Sequence, residues 1–376
     1  MRVLAVLATS AMLLASCAGA SVAPTVQSAP PGMADDYPAA TTAPAAAAAV
    51  PAPTATPEIR LYNKLRAFVA SETTNSVWVY EAAPDSPFAL VTKIPVGSMP
   101  HQMAVSPDGK FVAVNNRMAN TTSIIDPIAL KEIARISVGK QPHGITFSAD
   151  GKMLYVGHER DTYIAAIPVS TWIPQAIMTG VPQHVLTISP GQPNELWFTL
   201  TNSTEGDVLR VVDLTTNQIK KVQIGDVHDV YFTPDGSELW SSSSGFLDKP
   251  SDRMVIYDPL TKKVKQEIHF VGRYPFHTLK PLQDGMYRPE DTSIMVLSDH
   301  LGPSLLWVDW RERRIVGETR LGQQPFHSSY DPEGNRMLVT TNVDGMMNVI
   351  DMKTRQVIQK VPVTKAHGIV SVGIRN

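Results

Sequence analysis

Residues 99–114 read MPHQMAVSPDGKFVAV, and residues 141–156 repeat the pattern as QPHGITFSADGKMLYV. Five further segments carry it in full or in part: PQHVLTISPGQPNELWF (182–198), DVHDVYFTPDGSELWS (226–241), PFHTLKPLQDG (275–285), PFHSSYDPEGNRMLVT (325–340) and KAHGIVSVG (365–373). Each segment contains one histidine near its start, and successive histidines are 42, 41, 44, 49, 50 and 40 residues apart. A period of this length is typical of one four-stranded blade of a β-propeller.

Each repeat is predicted to form four strands, A to D. Strand A, such as residues 144–147, ends at a turn such as SPDG at 106–109, where proline presets φ and glycine accepts a positive φ. Strand B follows at 111–114, strand C ends at an aspartate as in 123–126, and strand D runs to a Val-Gly pair as in 136–139. No stretch shows a sustained 3.6-residue period, so helices are expected to be few.

The two ends of the repeat predict how the ring of blades closes. The last strand A, at 367–374, has no B, C or D strand after it, whereas strands near 67–71, 76–80 and 89–96 have no strand A before them. We therefore predict an all-β, seven-bladed β-propeller in which the C-terminal strand completes the first blade. Such closure leaves no free sheet edge at the seam.

The repeat resembles that of the YVTN-type propeller repeat proteins. The matching features are the Val-Gly and Pro-His lead, the SPDG turn and the FVAV or MLYV strand after it, over about residues 60–374. This resemblance implies the propeller fold. It implies no particular function, because propellers host many unrelated activities.

The N-terminus reads MRVLAVLATSAMLLASC. Arg2 precedes an apolar run at 3–14 that is too short to span a bilayer and is typical of a signal peptide. Residues 14–17, LASC, resemble the lipobox of bacterial lipoproteins, which implies cleavage before Cys17 and lipid attachment to its thiol. With Ala18 after the cysteine, the resemblance implies the periplasmic side of the outer membrane. An ordinary secretory signal with an incidental cysteine is the alternative.

The domain organisation follows from composition. We predict a lipoprotein signal peptide at 1–16, a tether at 17–57 that is rich in alanine and proline and has little to bury, and the propeller at 58–376. The lipid is the one membrane attachment expected. The formal net charge of −2 shows no basic stripe, so nucleic acid is not an expected partner, whereas a protein partner is possible. Cys17 is the only cysteine, which excludes a disulfide within the chain and a multi-thiolate metal site.

Seven of the ten histidines occupy one phase of the repeat: His101, His143, His184, His228, His277, His327 and His367. The SPDG turn is lost at 189–192 and scrambled at 283–285, yet the histidine is present in every repeat. Because strand A is innermost in a blade, these residues are expected to form a ring at the mouth of the central channel. We call these seven residues the histidine ring. Inheritance from a duplicated ancestral blade, without a role, is the alternative.

A second phase lies near the end of strand B, fifteen residues after the blade histidine. It contains Asn116, His158 and Asn342, with His300 aligned to it in the sixth blade and Glu72 in the closing blade. The B–C loops lie on the same face as the histidine ring, so His158 and His300 are expected to supplement it. A solvated loop histidine is the alternative for each, and His269 falls outside both phases.

Converging imidazoles would repel one another if protonated, so their pKa values are expected to be low, and neutral imidazole is a common metal ligand. Imidazole suits zinc, copper, nickel and iron. We predict copper or zinc, with pairing to an anionic ligand as the rival. Copper-cluster propellers such as those of nitrous oxide reductase and thiocyanate dehydrogenase are similar in architecture. A porphyrin, as in d1-haem propellers, is less favoured.

Three functions are compatible with the sequence. The leading hypothesis is a non-catalytic, lipid-anchored, metal-binding envelope protein. The alternatives are a copper- or haem-dependent periplasmic oxidoreductase and a scaffold for protein partners. No catalytic residue is assigned: His158-Glu159-Arg160-Asp161 reads more readily as a charged loop than as an acid–base pair. Asp226 and Asp229 are placed to orient His228.

Overall fold

The computed structural model describes residues 62–84, 86–200, 209–222, 227–233, 235–242, 251–279, 293–299, 302–331 and 335–375, of which 276–279 are described by backbone alone. These residues belong to one compact unit, Ala52–Asn376. The predicted signal peptide, the tether with Cys17, Asp226 and His300 lie outside the described residues, as does the side chain of His277.

The described residues form strands and no helix, so none of their elements is a helix long and apolar enough to cross a membrane. The strands, in chain order, are β1 (Lys64–Ser71), β2 (Ser76–Ala82), β3 (Ala89–Pro95), β4 (Pro100–Val105), β5 (Val112–Asn116), β6 (Thr121–Asp126), β7 (Lys131–Ser137), β8 (Pro142–Phe147), β9 (Met153–His158), β10 (Tyr163–Pro168), β11 (Gln175–Met178), β12 (Leu186–Ser189), β13 (Gln192–Phe198), β14 (Leu209–Asp213), β15 (Ile219–Val222), β16 (Val230–Phe232), β17 (Leu239–Ser242), β18 (Arg253–Asp258), β19 (Lys263–His269), β20 (Pro275–Leu279), β21 (Ile294–Asp299), β22 (Ser304–Asp309), β23 (Arg314–Arg320), β24 (Pro325–Tyr330), β25 (Arg336–Thr341), β26 (Met346–Asp351), β27 (Gln356–Pro362) and β28 (Ala366–Ile374).

The strands form seven four-stranded sheets, and the predicted seven-bladed propeller is confirmed. Blade 1 has the order β28-β1-β2-β3, and blades 2 to 7 are the successive groups β4–β7, β8–β11, β12–β15, β16–β19, β20–β23 and β24–β27. The predicted closure is confirmed as well, because β28 pairs antiparallel with β1, with Val370 opposite Phe68 and Ile369 opposite Val69.

The core consists of apolar layers between neighbouring blades. One layer joins blades 1 and 2 through side chains that include Phe68, Val79, Val114 and Val370. The outermost strands are different: β7 alternates exposed and less exposed residues because only one of its faces meets a neighbour. Apolar contact between blades therefore holds the strands A and B in place around the channel.

The A–B turns form as the SPDG motif predicts. In blade 2, Asp108 accepts hydrogen bonds from the Ser106 hydroxyl (2.7 Å) and from the Lys110 backbone N–H (3.1 Å). Gly109 has a φ of 69°, a conformation that side chains resist. Blade 3 repeats this turn with Ser148 and Asp150.

Four of the described strands A begin in a way that the repeat sequence does not predict. In four blades a residue with positive φ precedes the strand: Met99, Gln141, Gln324 and Lys365. A bulge follows at once; in blade 2, for example, Pro100 lies opposite Asn116 but Met103 lies opposite Val114, so strand A carries one extra residue. A bulge re-aims the side chains around it, and these bulges contain the ring histidines of blades 1, 2, 3 and 7.

Candidate metal centre

The structure brings six residues of the histidine ring together in one continuous series. The ring centroids of neighbours are 4.7 Å apart for His327 and His367, 3.5 Å for His367 and His101, 4.8 Å for His101 and His143, 3.9 Å for His143 and His184, and 4.5 Å for His184 and His228. The seventh, His277, lies on β20 at the corresponding place in blade 6. The series passes through the seam of the propeller, since His367 comes from the C-terminal strand.

Close approach of neighbouring strands A sets the spacing of the imidazoles. A Cβ atom at Gly144 would lie 2.6 Å from the carbonyl oxygen of His184, and one at Gly368 would lie 2.1 Å from that of His101. Only glycine fits at these two positions. The backbone is also tied from the side, because Asn115 donates from Nδ2 to the carbonyl oxygen of His143 at 2.8 Å.

Burial determines the charge state of the ring. His101 and His143 are only 7% and 6% exposed. Burial, together with electrostatic repulsion between His143 and His184 when both are protonated, lowers the pKa of His143 to about 3. Burial, and the repulsion that a proton on His101 would meet from a protonated His367 or His143, hold the pKa of His101 well below its ordinary value. Both imidazoles are therefore neutral at pH 7, the form that binds metal ions. Nδ1 of His101 is buried without a hydrogen-bond partner and has a ligand position free.

Three carboxylates lie against the imidazoles. Glu159 Oε1 is 3.2 Å from His184 Nδ1, Glu72 Oε1 is 3.5 Å from His101 Nε2, and Asp229 Oδ1 is 4.0 Å from His228 Nε2. This places Asp229 beside His228, where the sequence suggested an orienting role.

The pKa values of Glu159 and Glu72 are shifted in opposite directions. Burial opposes ionisation of Glu159, but the hydrogen bond from His184 and the positive charge of Arg117 hold its pKa below the usual value. Arg117 also donates from Nε to Glu159 Oε2 at 2.8 Å. Burial instead raises the pKa of Glu72. The pair Arg117–Glu159 thus keeps a charged carboxylate beside the neutral imidazole of His143.

Three sets of side chains bring their ligand atoms within 4.8 Å of one another. They are Glu72, His101 and His367; His143, Glu159 and His184; and His184, His228 and Asp229. The second and third sets share His184. Mixed imidazole and carboxylate ligands of this kind bind zinc and copper.

His158 lies away from the ring. Its side chain is fully buried, its Nδ1 donates to the carbonyl oxygen of Tyr163 at 2.8 Å, and its Nε2 accepts from the Gly139 backbone N–H at 2.9 Å. Asn116 likewise turns back into its own blade and donates to Ser123 Oγ at 2.8 Å. With both nitrogens hydrogen-bonded, His158 fixes the B–C turn and has no nitrogen left for a metal ion.

Four side chains from the residue directly after strand B lie at the ring, two of them carboxylates against imidazoles and two of them paired with those carboxylates. They are Glu72, Arg117, Glu159 and Asn342, and their backbone N–H groups donate to the carbonyl oxygens of Lys365, Met99, Gln141 and Gln324. Nothing in the repeat pattern singles out Arg117, and the charges around Glu159 indicate only a solvated loop. The sequence feature that could identify this position is charge, since three of these four residues are ionisable. His300, which follows β21, has the same place in the chain but lies outside the described residues.

His269 lies outside the ring. It is on the outer strand β19, where its Nδ1 is 2.8 Å from Asp252 Oδ1 and its side chain is 54% exposed. It is therefore a suitable control for the ring histidines.

Comparison with known proteins identifies the relatives of this fold. A family model described as a YNCE-like beta-propeller matches residues 38–373. None of the curated proteins matches the chain in sequence.

Similar solved structures include Kuenenia stuttgartiensis hydrazine synthase, with 18% identity, 76% of this chain and 94% of that chain covered, and a TM-score of 0.62. Dihydro-heme d1 dehydrogenase NirN in complex with DHE has 16% identity, coverage of 81% and 74%, and a TM-score of 0.58. Apo AztD from Citrobacter koseri has 15% identity, coverage of 82% and 98%, and a TM-score of 0.58. At these identities the likeness shows the fold alone.

Proposed function

The chain belongs to the YNCE-like β-propeller family, and we propose that it is an envelope lipoprotein that binds a metal ion, copper or zinc, through its histidine ring. The observation that carries the proposal is the buried set of His143, Glu159 and His184, whose ligand atoms lie within 4.8 Å of one another. Propellers differ widely in activity, so the proposal rests on this site and not on the family.

The spacing of the side chains suits a bound ion. Metal–nitrogen bonds of about 2.0–2.1 Å in tetrahedral geometry place two ligand atoms about 3.3 Å apart. The Nδ1 atom of His184 is 3.2 Å from Glu159 Oε1, and its Nε2 atom is 3.3 Å from His228 Nε2. An ion could therefore replace these contacts with little movement of the rings. The charged Glu159 would offset part of the charge of the ion.

The donor types favour divalent copper or zinc. Imidazole nitrogen and carboxylate oxygen suit both ions, whereas Cu(I) prefers thiolate and thioether sulfur. The ring offers no thiolate, because the only cysteine is Cys17 at the start of the tether.

Haem is the less favoured occupant. Two of the similar structures are named for hydrazine synthase and for a haem d1 dehydrogenase, which would suggest a periplasmic oxidoreductase. Here, however, neighbouring imidazoles contact one another, with centroids as close as 3.5 Å between His101 and His367. Binding of an ion at the ring nitrogens needs less separation of these imidazoles than insertion of a macrocycle does. A visible Soret band in natively purified protein would reverse this preference.

The location forms part of the proposal. The lipobox-like residues at 14–17 support lipid attachment at Cys17 and a position on the periplasmic side of the outer membrane. In that place the site would meet metal ions that enter the periplasm.

Calorimetric titration of metal-free protein with Cu²⁺ and Zn²⁺ at pH 7 tests the proposal. Wild type is compared with His143→Ala/His184→Ala and with the off-ring control His269→Ala. We expect the double variant to raise Kd by on the order of 100-fold or more, because two direct ligands are lost, and the control to match wild type. Circular dichroism checks that each variant is folded. Equal affinity in all three folded proteins would refute metal binding at this site.

A further inference from the structure

We infer that His184 bridges two metal ions, so that the ring holds a dinuclear site and not a single isolated ion. This inference rests on the proposed function and adds the number of ions and the residue that joins them. It follows from the position of His184, which is the one member common to two of the three ligand sets.

The two nitrogens of His184 face different ligand sets. Nδ1 lies 3.2 Å from Glu159 Oε1, and the imidazole stacks on that of His143 with centroids 3.9 Å apart. Nε2 lies 3.3 Å from Nε2 of His228 on the opposite side. One nitrogen therefore serves a site with His143 and Glu159, while the other serves a site with His228 and Asp229.

The carboxylate of the second site, Asp229, is also buried and held in position. Asp229 is 1% exposed, and its Oδ2 accepts a hydrogen bond from the Tyr231 hydroxyl at 3.2 Å. Such a partner fixes the orientation of a carboxylate ligand. Its Oδ1 lies 4.0 Å from His228 Nε2, so both can approach one ion.

Bridging of two ions by His184 requires the loss of one proton from its imidazole and no change of oxidation state. A neutral imidazole carries a lone pair on one nitrogen and a proton on the other. The first ion binds at the nitrogen with the lone pair. The second ion binds at the other nitrogen, and the N–H proton leaves to water. The bridging imidazolate, Glu159 and Asp229 together supply three negative charges against two divalent ions.

Each ion would have three protein ligands, counting His184 for both. Three protein ligands with an open fourth position are typical of zinc sites that accept water or a small molecule. The remaining set, Glu72, His101 and His367, shares no imidazole with the other two. The ring is thus asymmetric, with a bridged pair on one side.

Electron paramagnetic resonance of the copper-loaded protein tests the bridge. Two Cu²⁺ ions joined by an imidazolate couple magnetically, so we expect fewer detectable spins than copper ions per chain measured by mass spectrometry. Release of the copper ions in acid should restore the full spin count. This result would show that the copper not detected in the protein, the silent copper, is Cu²⁺ and not Cu⁺. The variant His269→Ala should behave as wild type.

The variants Asp229→Asn and Glu159→Gln test whether the silent copper belongs to the two ions bridged by His184. Each variant weakens one half of the site, so copper content should fall and the remaining copper should become fully detectable. Copper that is bound but fully detectable in wild type would overturn the bridge and leave the proposed function standing. Silent copper that Asp229→Asn does not change would also overturn it. Failure to bind copper or zinc at all would overturn the proposed function itself.

Discussion

At the scale of single residues, His143 shows how the channel mouth is built. Its imidazole is 6% exposed, stacks on His184 and places Nδ1 3.0 Å from the His184 carbonyl oxygen. Burial keeps this imidazole neutral, and the hydrogen bond from Nδ1 leaves Nε2 for a ligand. Glu159 nearby remains charged because His184 and Arg117 stabilise its carboxylate. Neutral nitrogen beside a charged oxygen is the combination that the metal site requires.

The lowered pKa of His143 predicts a dependence of stability on pH. The pKa is about 6.5 in the unfolded chain and about 3 in the folded one. Below pH 6.5 the unfolded state therefore binds a proton that the folded state does not, and stability falls as the pH drops toward 3. For this one group the loss is about 1.4 kcal/mol per pH unit.

His143→Gln should make that loss smaller. We would measure urea unfolding of the metal-free protein at pH 7 and pH 5, above the range in which Glu159 takes up its proton. His101 and His158 also have lowered pKa values, so the dependence should weaken and not vanish. The control His269→Gln should follow wild type. An unchanged difference between pH 7 and pH 5 in His143→Gln would show that this residue is not held neutral.

At the scale of elements, the start of strand A decides which side chains reach the channel. In blades 2 and 3 the histidine directly follows the proline, as in Pro142-His143, whereas in blade 7 Phe326 stands between Pro325 and His327. The bulge covers both positions after the first residue of the strand, so His327 still lies 4.7 Å from His367. The bulge thus allows the histidine to stand one residue later in strand A and still reach the ring.

The same shift explains what the sequence could and could not predict. The period of about 42 residues was enough for the propeller, its closure and the phase of the histidines. Counting fifteen residues from the histidine, however, mixes two structural positions: the strand end at His158 and the residue after the strand at Asn342. Because side chains alternate along a strand, this offset of one residue reverses the face. Glu159, not His158, therefore lies against the ring.

Removal of residues 367–376 should cost far more stability than its length suggests. Strand β28 buries Ile369, Val370, Val372 and Ile374 between blades 1, 2 and 7. At about 1.5–3 kcal/mol for each buried side chain, the loss is comparable to the whole stability of a domain. We expect no cooperative thermal transition by circular dichroism. A control that lacks only residues 375–376 should unfold as wild type does, and an unchanged melting temperature in the longer truncation would contradict the closure.

At the scale of the whole molecule, the strand that closes the propeller also completes the histidine ring. His367 comes from the last strand, yet its imidazole is 3.5 Å from that of His101 near the start of the repeats. The ligand set of Glu72, His101 and His367 joins β1, β4 and β28 regions that are far apart in sequence. A metal ion bound there would stabilise the closed ring, because it would bind the folded state and not the unfolded chain.

Cys17→Ser tests the proposed anchor at this scale. The predicted result is a protein that moves from the membrane fraction to the soluble periplasmic fraction, since no other membrane attachment is expected from the sequence. The melting temperature should stay within about 1 °C of the wild-type value, because the predicted tether has little to bury. A variant that still sediments with washed membranes would require a second attachment.

The central claim is that the histidine ring binds a metal ion, and anomalous X-ray diffraction from crystals of protein loaded with copper or zinc tests it most directly. Data collected on both sides of the absorption edge of the metal locate each ion without assumptions about its ligands. We predict a strong anomalous peak within bonding distance of His143, Glu159 and His184, which is lost in the folded variant His143→Ala/His184→Ala. Anomalous density confined to other parts of the surface, with the ring imidazoles ordered and still in contact with one another, would contradict the account.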